Sequence, residues 1–252
     1  MKLYDRFAKV YAGGKYPNLS QEMAAVLPKV MKQYKIPAAG TKRLLDVACG
    51  EGSFAVEMAK KGWNVTGIDQ SEEMLRLAKH RAKKESVEVS FQNQDMRFID
   101  FASEFDLVTC WFDSLNYLIT NDDLQSAFNS ISRSLKPNGW LIFDMNTTYG
   151  LAVEWQRNRC YVQQETPDLL ELHRTDFDFE KNLACVRITW FISVGDKWEK
   201  YEEKHVERAF SLEEIEKCLE YAGLHVIDRV ASLNPITPLT KNAGRVWFVV
   251  RK

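Results

Sequence analysis

The order of apolar and amphipathic segments constrains the fold of this chain more than any other feature of its sequence. From about residue 20 to residue 150, short apolar runs alternate with stretches whose apolar residues recur at helical spacing. The first unit contains a strand, "RLLDVA", a helix ending at Gly62, "GSFAVEMAKKG", and a second strand, "WNVTGID". Such alternation is typical of an α/β fold in which helices connect parallel strands.

The same alternation continues through three further predicted strands. Ser71 stands before two acids and is the predicted N-cap of a helix, "SEEMLRLAKHRAKKE". The segments "VEVSFQNQD" and "FDLVTCW" predict the third and fourth strands. A helix that must end before Pro137 and a turn at Asn138-Gly139 lead into the fifth strand, "WLIFDMN".

After residue 150 the pattern changes to period-two alternation, which indicates antiparallel hairpins. Turn residues at 180–182 and 195–196 separate these strands. A helix capped by Ser211 and ended by Gly223 follows, and then two closing strands, "LHVIDRVA" and "RVWFVVRK". We therefore expect one domain built from residues 1–150 and 209–252, with residues 151–208 inserted as an antiparallel β cap.

Composition narrows the expected partners and environment. The 252 residues carry a formal net charge of -1, which gives no electrostatic reason to expect nucleic acid. No apolar run of about eighteen residues predicts a membrane span, and the N-terminus lacks a signal-peptide pattern. The five cysteines and four histidines show no disulfide or metal-ligand spacing. We expect a cytoplasmic protein with reduced thiols, no metal site and a small-molecule partner; an oligomer is not indicated.

A glycine-bearing turn follows the first predicted strand. Gly50 and Gly52 take the first two glycine positions of the GxGxxG dinucleotide pattern, and Ala55 takes the third. Since a dinucleotide turn shares these glycines, their spacing alone does not choose the ligand. Glu51 favours a smaller, cationic ligand, because a carboxylate in a phosphate-facing turn would repel a pyrophosphate.

Acidic residues follow the first three predicted strands in a regular way. Asp46 lies at the end of the first strand, and Asp69 ends the second, where a carboxylate can accept both hydroxyls of a ribose. Asp95 follows the third strand, where we expect it to meet an adenine amino group. Together these acids predict adenosine joined to an amino acid that carries an ammonium and a sulfonium group.

Five segments resemble, in order, the motifs of one known family. "LLDVACGEGSFA" is similar to its first motif, "VTGIDQSEEML" to its ribose strand, and "QNQDM" to its adenine segment. "FDLVTCWFDSLNYL" is similar to the strand that passes the methyl donor, and "ISRSLKPNGWLIFDM" to a shared helix, turn and strand. The family is the Rossmann-like (class I) S-adenosylmethionine-dependent methyltransferases, small-molecule type. This resemblance implies an α/β, doubly wound, mostly parallel seven-stranded sheet with an inserted antiparallel β cap.

The resemblance also implies roles for particular residues. Gly50 and Gly52 would let the backbone approach the amino-acid end of S-adenosylmethionine, while Asp46 would act through water or the turn backbone. Asp69 would hold the ribose diol. Residues 1–20 resemble a mobile lid whose tyrosines close over the site. The expected cofactor-binding residues are Asp46, Ala48, Gly50, Gly52, Asp69, Gln70, Asp95, Met96, Trp111, Ser114, Tyr11 and Tyr16.

Methyl transfer from a sulfonium is an in-line displacement that positioning and water exclusion can accelerate without a dedicated catalytic group. We expect a small molecule to be methylated at nitrogen or oxygen, and the sequence assigns no catalytic residue. Candidates to face the acceptor are Asp144, Asn146 and Tyr149 after the fifth strand, Trp155, Arg157, His173, Arg174, Trp190 and Trp198 in the cap region, and Arg245 and Trp247 near the C-terminus.

Other functions remain open at this stage. A non-catalytic module that binds S-adenosylmethionine or docks a partner protein would carry the same motifs. An NAD-dependent oxidoreductase would share the glycines, although Glu51 and the segment after the fourth strand count against it. That segment also lacks the Asn/Asp-Pro-Pro-aromatic pattern of enzymes that methylate DNA bases, while a peptide substrate remains open.

Overall fold

The computed structural model describes Tyr4, residues 6–37 and residues 42–252. The strands are β1 Arg43–Val47, β2 Asn64–Asp69, β3 Ser90–Asn93, β4 Phe105–Cys110, β5 Leu135–Asn146, β6 Cys160–Thr166, β7 Leu169–Asp178, β8 Leu183–Val194, β9 Lys197–Arg208, β10 His225–Leu233, β11 Ile236–Pro238 and β12 Arg245–Arg251. The α-helices are α1 Ala8–Gly13, α2 Tyr16–Gln33, α3 Ser53–Lys60, α4 Glu72–Lys84, α5 Asn121–Ser134, α6 Trp155–Arg157 and α7 Leu212–Tyr221.

The larger sheet has eight strands in the order β11-β10-β12-β5-β4-β1-β2-β3. Strands β1 to β5 run parallel. Beyond β5, each further strand is antiparallel to its neighbour: β12 to β5, β10 to β12, and β11 to β10. The predicted fold class is confirmed, with one addition. The proline-bearing segment after β10 forms the short edge strand β11, so the sheet has eight strands rather than seven. Strand order reverses between β1 and β4, which is where open α/β sheets bind ligands.

The core lies on both faces of this sheet. Leu44 of β1 packs into a cluster that contains Leu27 of α2 and Phe54 of α3. Its neighbour Leu45 points to the opposite face and packs with Phe128 of α5 and residues of α7. Because helices cover both faces, strands β1, β4 and β5 are apolar along most of their length.

Helix ends agree with the predicted capping signals. The Ser71 hydroxyl accepts a hydrogen bond from the Met74 N–H at 3.2 Å and caps α4. Ser211 caps α7 through a reciprocal capping box. Gly62 and Gly223 have φ values of 84° and 70°, the left-handed conformation in which glycine commonly ends a helix.

The start of β5 differs from its prediction. Helix α5 ends before Pro137, as expected, but β5 begins at Leu135 rather than at Trp140. Asn138 takes a left-handed φ of 64° within the strand instead of in a separate turn. The pairing of β4 with β5 shifts register nearby, so the turn residues form an irregularity in a continuous strand.

The smaller sheet is an antiparallel meander in the order β6-β7-β8-β9. One of its faces packs on the N-terminal segment, where Phe7 meets Trp190 with ring centroids 5.1 Å apart. The division of the chain into a cofactor domain and a cap stays a prediction. Within the described part of the chain, no helix combines the length and the apolar character needed to cross a membrane.

Candidate active site

A cavity of about 740 Å³ lies at the carboxyl ends of β1, β2 and β4. Its walls also include residues of β9 and of the N-terminal segment. Eight predicted cofactor residues line it: Tyr11, Ala48, Gly50, Asp69, Gln70, Met96, Trp111 and Ser114. Four do not: Asp46, Gly52, Asp95 and Tyr16.

The turn between β1 and α3 brings backbone to the cavity wall. Ala48, Gly50 and Gly52 have φ values of 56°, 54° and 81°. A Cβ on Gly50 would meet no atom within 4 Å, which leaves room for a ligand beside the turn. A Cβ on Gly52 would lie 2.8 Å from Ala78 Cβ and 3.0 Å from Phe91 Cζ. Gly52 therefore serves the close packing of α3 rather than the cavity wall.

Asp69 joins the end of β2 to this turn. Its Oδ2 accepts the Gly50 N–H at 2.9 Å, and its Oδ1 accepts the Ser71 N–H at 2.8 Å. Burial raises the pKa of Asp69, although the backbone N–H groups act in the opposite direction. Each oxygen keeps a further lone pair, so the carboxylate can hold the turn and still accept two hydroxyl groups from a ligand.

Asp46 lies beneath the turn and is 2% exposed. Its Oδ1 accepts a hydrogen bond from the Thr109 hydroxyl at 3.2 Å, and its Oδ2 has no partner among the described residues. Burial raises the pKa of Asp46 well above its usual value, and the charges of Asp69 and Glu51 add to this effect. Asp46 thus lies behind the wall rather than in it.

The interpretation of Glu51 as a group that repels a pyrophosphate is wrong. Its carboxylate is 2% exposed, forms an ion pair with Arg81 of α4 and does not line the cavity. Because the negative charge is compensated and turned away from the ligand side, it cannot select the ligand.

Asp95 is engaged away from the cavity. Its Oδ1 accepts the Arg97 N–H at 2.9 Å, and both of its oxygens bind the Arg97 guanidinium at 2.5–3.1 Å. Burial acts against ionisation, but Arg97 outweighs it and lowers the pKa of Asp95. Met96 and Gln70, not Asp95, form the wall here. Contact of Asp95 with an adenine stays a prediction.

The segment after β4 is held in an unusual backbone conformation. Phe112 and Asp113 both have left-handed φ values, of 57° and 53°, which typically cost about 1–3 kcal/mol each. The fully buried Asp144 carboxylate compensates by accepting the Phe112 and Asp113 N–H groups at 2.7 and 3.0 Å. Arg245 pairs with both Asp144 and Asp113. This bracing fixes Trp111 and Phe112 at the cavity wall.

None of the residues predicted to face the acceptor lines the cavity. Asp144 and Arg245 brace the segment after β4, and Asn146 donates to Glu207 at 2.9 Å. Trp190 is buried behind Phe7, and Trp198 is 52% exposed on the opposite side of the smaller sheet. Alternation along a strand did not show which face would be turned to the cavity, because packing against the N-terminal segment decides this.

Two tyrosines of the N-terminal segment, Tyr4 and Tyr11, line the cavity. Tyr16 stands behind Tyr11, with ring centroids 4.4 Å apart in a stacked arrangement. Its hydroxyl donates to Glu171 Oε1 at 2.5 Å, which ties the start of α2 to β7. Tyr16 therefore supports the wall from behind.

Glu203 of β9 anchors the same segment. Its carboxylate accepts the N–H groups of Tyr4, Arg6 and Phe7 at 3.0–3.3 Å. Three backbone donors on one carboxylate fix the N-terminal turn to the smaller sheet. This contact places Tyr4 at the cavity, although the lid role of residues 1–20 stays a prediction.

Sequence reasoning missed several wall residues. Tyr117 follows Ser114 by three residues in a short 3-10 helix after β4, and both line the cavity. That spacing was a usable signal, because residues three apart share a face in such a helix. Lys204 and Val206 contribute from β9, where only the tertiary packing decides which face lies at the cavity.

The described residues contain no group of three His, Cys, Asp or Glu side chains arranged to hold a metal ion. The five cysteines are all unpaired.

Comparisons with known proteins point to one class. Residues 44–139 match a family model described as a methyltransferase domain. The chain is 33% identical over 233 residues to a putative methyltransferase of Geobacillus sp. strain WCH70, covering 89% of each protein. It is 31% identical over 255 residues to the putative methyltransferase YqeM of Bacillus subtilis strain 168, covering 99% of this chain and 97% of that one.

A solved structure agrees with these relatives. A crystal structure of a S-adenosylmethionine-dependent methyltransferase from Clostridium acetobutylicum has a TM-score of 0.84 and 26% identity, covering 99% of both chains. The fold is an α/β sheet with a cavity at the point where strand order reverses. The chain belongs to the class I S-adenosylmethionine-dependent methyltransferases, and S-adenosylmethionine is its cofactor. The NAD-dependent and non-catalytic alternatives are thereby set aside.

Proposed function

We propose that the enzyme methylates a small molecule, at nitrogen or oxygen, inside the cavity at the carboxyl ends of β1, β2 and β4. The observation that carries this proposal is the cover over the cavity. Tyr4 and Tyr11 of the N-terminal segment and Lys204 and Val206 of β9 form walls beyond the cofactor turn. A cavity of about 740 Å³ has the size of sites that enclose small ligands, about 300–1,000 Å³.

The residues around the turn fit S-adenosylmethionine. Asp69 presents a carboxylate to a ribose diol, while Gly50 leaves open space and a backbone approach for the amino-acid end. Met96 and Ile68 line the cavity with apolar surface suited to an adenine, and Trp111 and Ser114 are the lining residues that we assign to the methionine moiety. The unpartnered Asp46 Oδ2 beneath the turn fits a contact through water.

Bound S-adenosylmethionine supplies a methyl group on a positively charged sulfonium. The chain holds the acceptor in line with that group and keeps water out, which together can remove much of the barrier. Besides Asp69, the cavity carries the Asp123 carboxylate and the cations Arg97 and Lys204, so it has polar groups with which to orient an acceptor.

The test is a transfer assay with methyl-labelled S-adenosylmethionine and a panel of amines, amino alcohols, phenols and carboxylic acids. We expect label to enter at least one panel member, with Asp69→Asn reducing the rate and the exposed Asp100→Asn leaving it unchanged. Label that enters peptide or RNA substrates, but no member of the panel, would contradict the proposal.

A further inference from the structure

A row of four polar side chains leads from the cavity wall to a buried carboxylate. Tyr4 Oη and Tyr117 Oη lie 2.9 Å apart, and both tyrosines line the cavity. Tyr117 Oη lies 3.0 Å from His205 Nδ1, within hydrogen-bond distance. On the other side of the ring, His205 Nε2 lies 3.5 Å from Glu203 Oε2, an ion-pair contact rather than a hydrogen bond. His205 itself is only 2% exposed. Among the described residues that line the cavity, Tyr117 is the one whose polar atom lies within hydrogen-bond distance of the imidazole.

The protonation states of these side chains determine in which direction a proton can move along the row. Burial, with smaller contributions from Tyr4 and Glu207, raises the pKa of Tyr117 well above its usual value, so the phenol stays neutral. A neutral phenol accepts a proton only if it gives its own away. Burial opposes ionisation of Glu203, but His205 and the backbone N–H groups outweigh it and lower its pKa. Transfer to the imidazole requires the His205 ring to carry its N–H on Nε2, on the side of Glu203, so that the Nδ1 lone pair accepts from Tyr117.

We propose that Tyr117 is a catalytic residue that takes the proton lost by the methyl acceptor and passes its own proton to His205. The proposal rests on the small-molecule methylation proposed above. The acceptor atom gains the methyl carbon, and sulfur keeps the electron pair of the broken bond. The acceptor's proton moves to Tyr117 Oη while the Tyr117 proton moves to His205 Nδ1. Glu203 faces the imidazolium that forms and acts as a positioning residue.

Two aromatic side chains lie against the His205 ring. Tyr4 of the N-terminal segment lies edge-on to the imidazole, with ring centroids 5.0 Å apart, and Tyr117 faces it from the segment after β4. Asp113 and Glu207 are the next titratable groups around Tyr117, and both are acidic. The Tyr117 hydroxyl is thus the polar partner that the imidazole has on the cavity side.

The first test needs no acceptor. The histidine nitrogens of the 15N-labelled enzyme, saturated with S-adenosylhomocysteine, are assigned by nuclear magnetic resonance with the help of His205→Gln. We expect His205 at neutral pH to carry its proton on Nε2 and to accept a hydrogen bond at Nδ1. A proton on Nδ1 in the neutral ring, or an imidazolium that persists through the pH range of the reaction, would overturn the proposal.

The second test uses the acceptor found in the transfer assay. Tyr117→Phe should lower kcat by about 10²–10⁴-fold and leave the affinity for S-adenosylhomocysteine unchanged. The matched control is Tyr161→Phe, since Tyr161 Oη lies 3.3 Å from His173 Nδ1 in a tyrosine–histidine pair that does not line the cavity.

An unchanged kcat in Tyr117→Phe, or the same loss in Tyr161→Phe, would overturn the relay. The His205→Gln variant adds a second readout. Loss of the base should remove the acidic limb of the pH–rate profile, whereas a purely structural defect would lower the rate by the same factor at every pH. Failure of the small-molecule proposal is distinguishable, since it would appear as absence of turnover in the unmodified enzyme.

Discussion

At the residue scale, single side chains decide whether the backbone can approach the cavity. Gly50 and Gly52 both have left-handed φ values, but only Gly52 is tightly enclosed by its neighbours. Phe112 and Asp113 hold similar conformations without being glycine, and Asp144 supplies the hydrogen bonds that hold them. In the first turn the left-handed conformation is possible because glycine has no side chain. In the second turn it is stabilised by hydrogen bonds to a buried carboxylate.

Gly52→Ala is expected to destabilise the enzyme by about 2–4 kcal/mol, because left-handed strain and overpacking against Ala78 and Phe91 add together. Gly195→Ala is the matched control. Gly195 has a φ of 60° and no atom within 4 Å of an added Cβ, so we expect a loss of only about 1 kcal/mol. Urea unfolding measures both losses, and equal values would contradict the role of close packing.

Asp46→Asn is expected to gain stability relative to the unmodified enzyme as pH rises. Burial raises the pKa of Asp46, so the native state binds more protons than the unfolded state, and the contribution of this group is lost with rising pH. The variant lacks that loss. Between about pH 5 and pH 8, the difference in free energy of unfolding between the two proteins should therefore move in favour of the variant.

Urea unfolding at both pH values checks this prediction. The exposed Asp122→Asn provides the control and should show no such shift. A difference that moves in favour of the unmodified enzyme at the higher pH would contradict the burial argument for Asp46.

At the scale of elements, the N-terminal segment is attached to the smaller sheet by packing and by hydrogen bonds. Phe7 packs on Trp190, and Glu203 accepts the N–H groups of Tyr4 and Phe7. These contacts hold Tyr4 and Tyr11 at the cavity. The N-terminal segment and the smaller sheet therefore pack together as one unit on this side of the cavity.

Phe7→Ala should release this segment. Removing a buried phenylalanine typically costs about 3–5 kcal/mol. We expect this loss to exceed the free energy that keeps the short N-terminal segment docked on the smaller sheet. We expect faster trypsin cleavage after Lys9 and Lys15, and faster dissociation of S-adenosylhomocysteine. Leu19→Ala, at a position 48% exposed on α2, should change neither rate. Unchanged cleavage in Phe7→Ala would contradict the docking argument.

Periodic elements were predictable because their signals are local. The caps at Ser71 and Ser211 and the glycines that end α3 and α7 act within a few residues of their own position. The edge strand β11 was not predictable, because it exists only where β10 offers a free edge. The early start of β5 likewise depends on pairing with β4 across the sheet.

At the scale of the whole molecule, ligand binding should stabilise the native state by mass action. At a concentration of S-adenosylhomocysteine 100 times its Kd, the gain is about 2.7 kcal/mol, which should raise Tm by roughly 5–10 °C for a chain of this size. NAD should produce no shift, and Asp69→Asn should reduce the shift with S-adenosylhomocysteine. Thermal denaturation followed by circular dichroism measures all three. A rise in Tm with NAD but not with S-adenosylhomocysteine would contradict the assignment of this cavity to S-adenosylmethionine.

The sequence by itself determined the α/β class, the order of the parallel strands and the helices between them, and the position of the glycine-bearing turn after β1, because hydrophobic periodicity and capping are local properties. Gly50 and Asp69 were found in the same way, since consecutive parallel strands end at one edge of the sheet. Only the tertiary structure decided that Glu51 turns to Arg81 and that Tyr117 meets His205. Those pairs join residues 30 and 88 positions apart, and packing across elements, not spacing along the chain, brings them together.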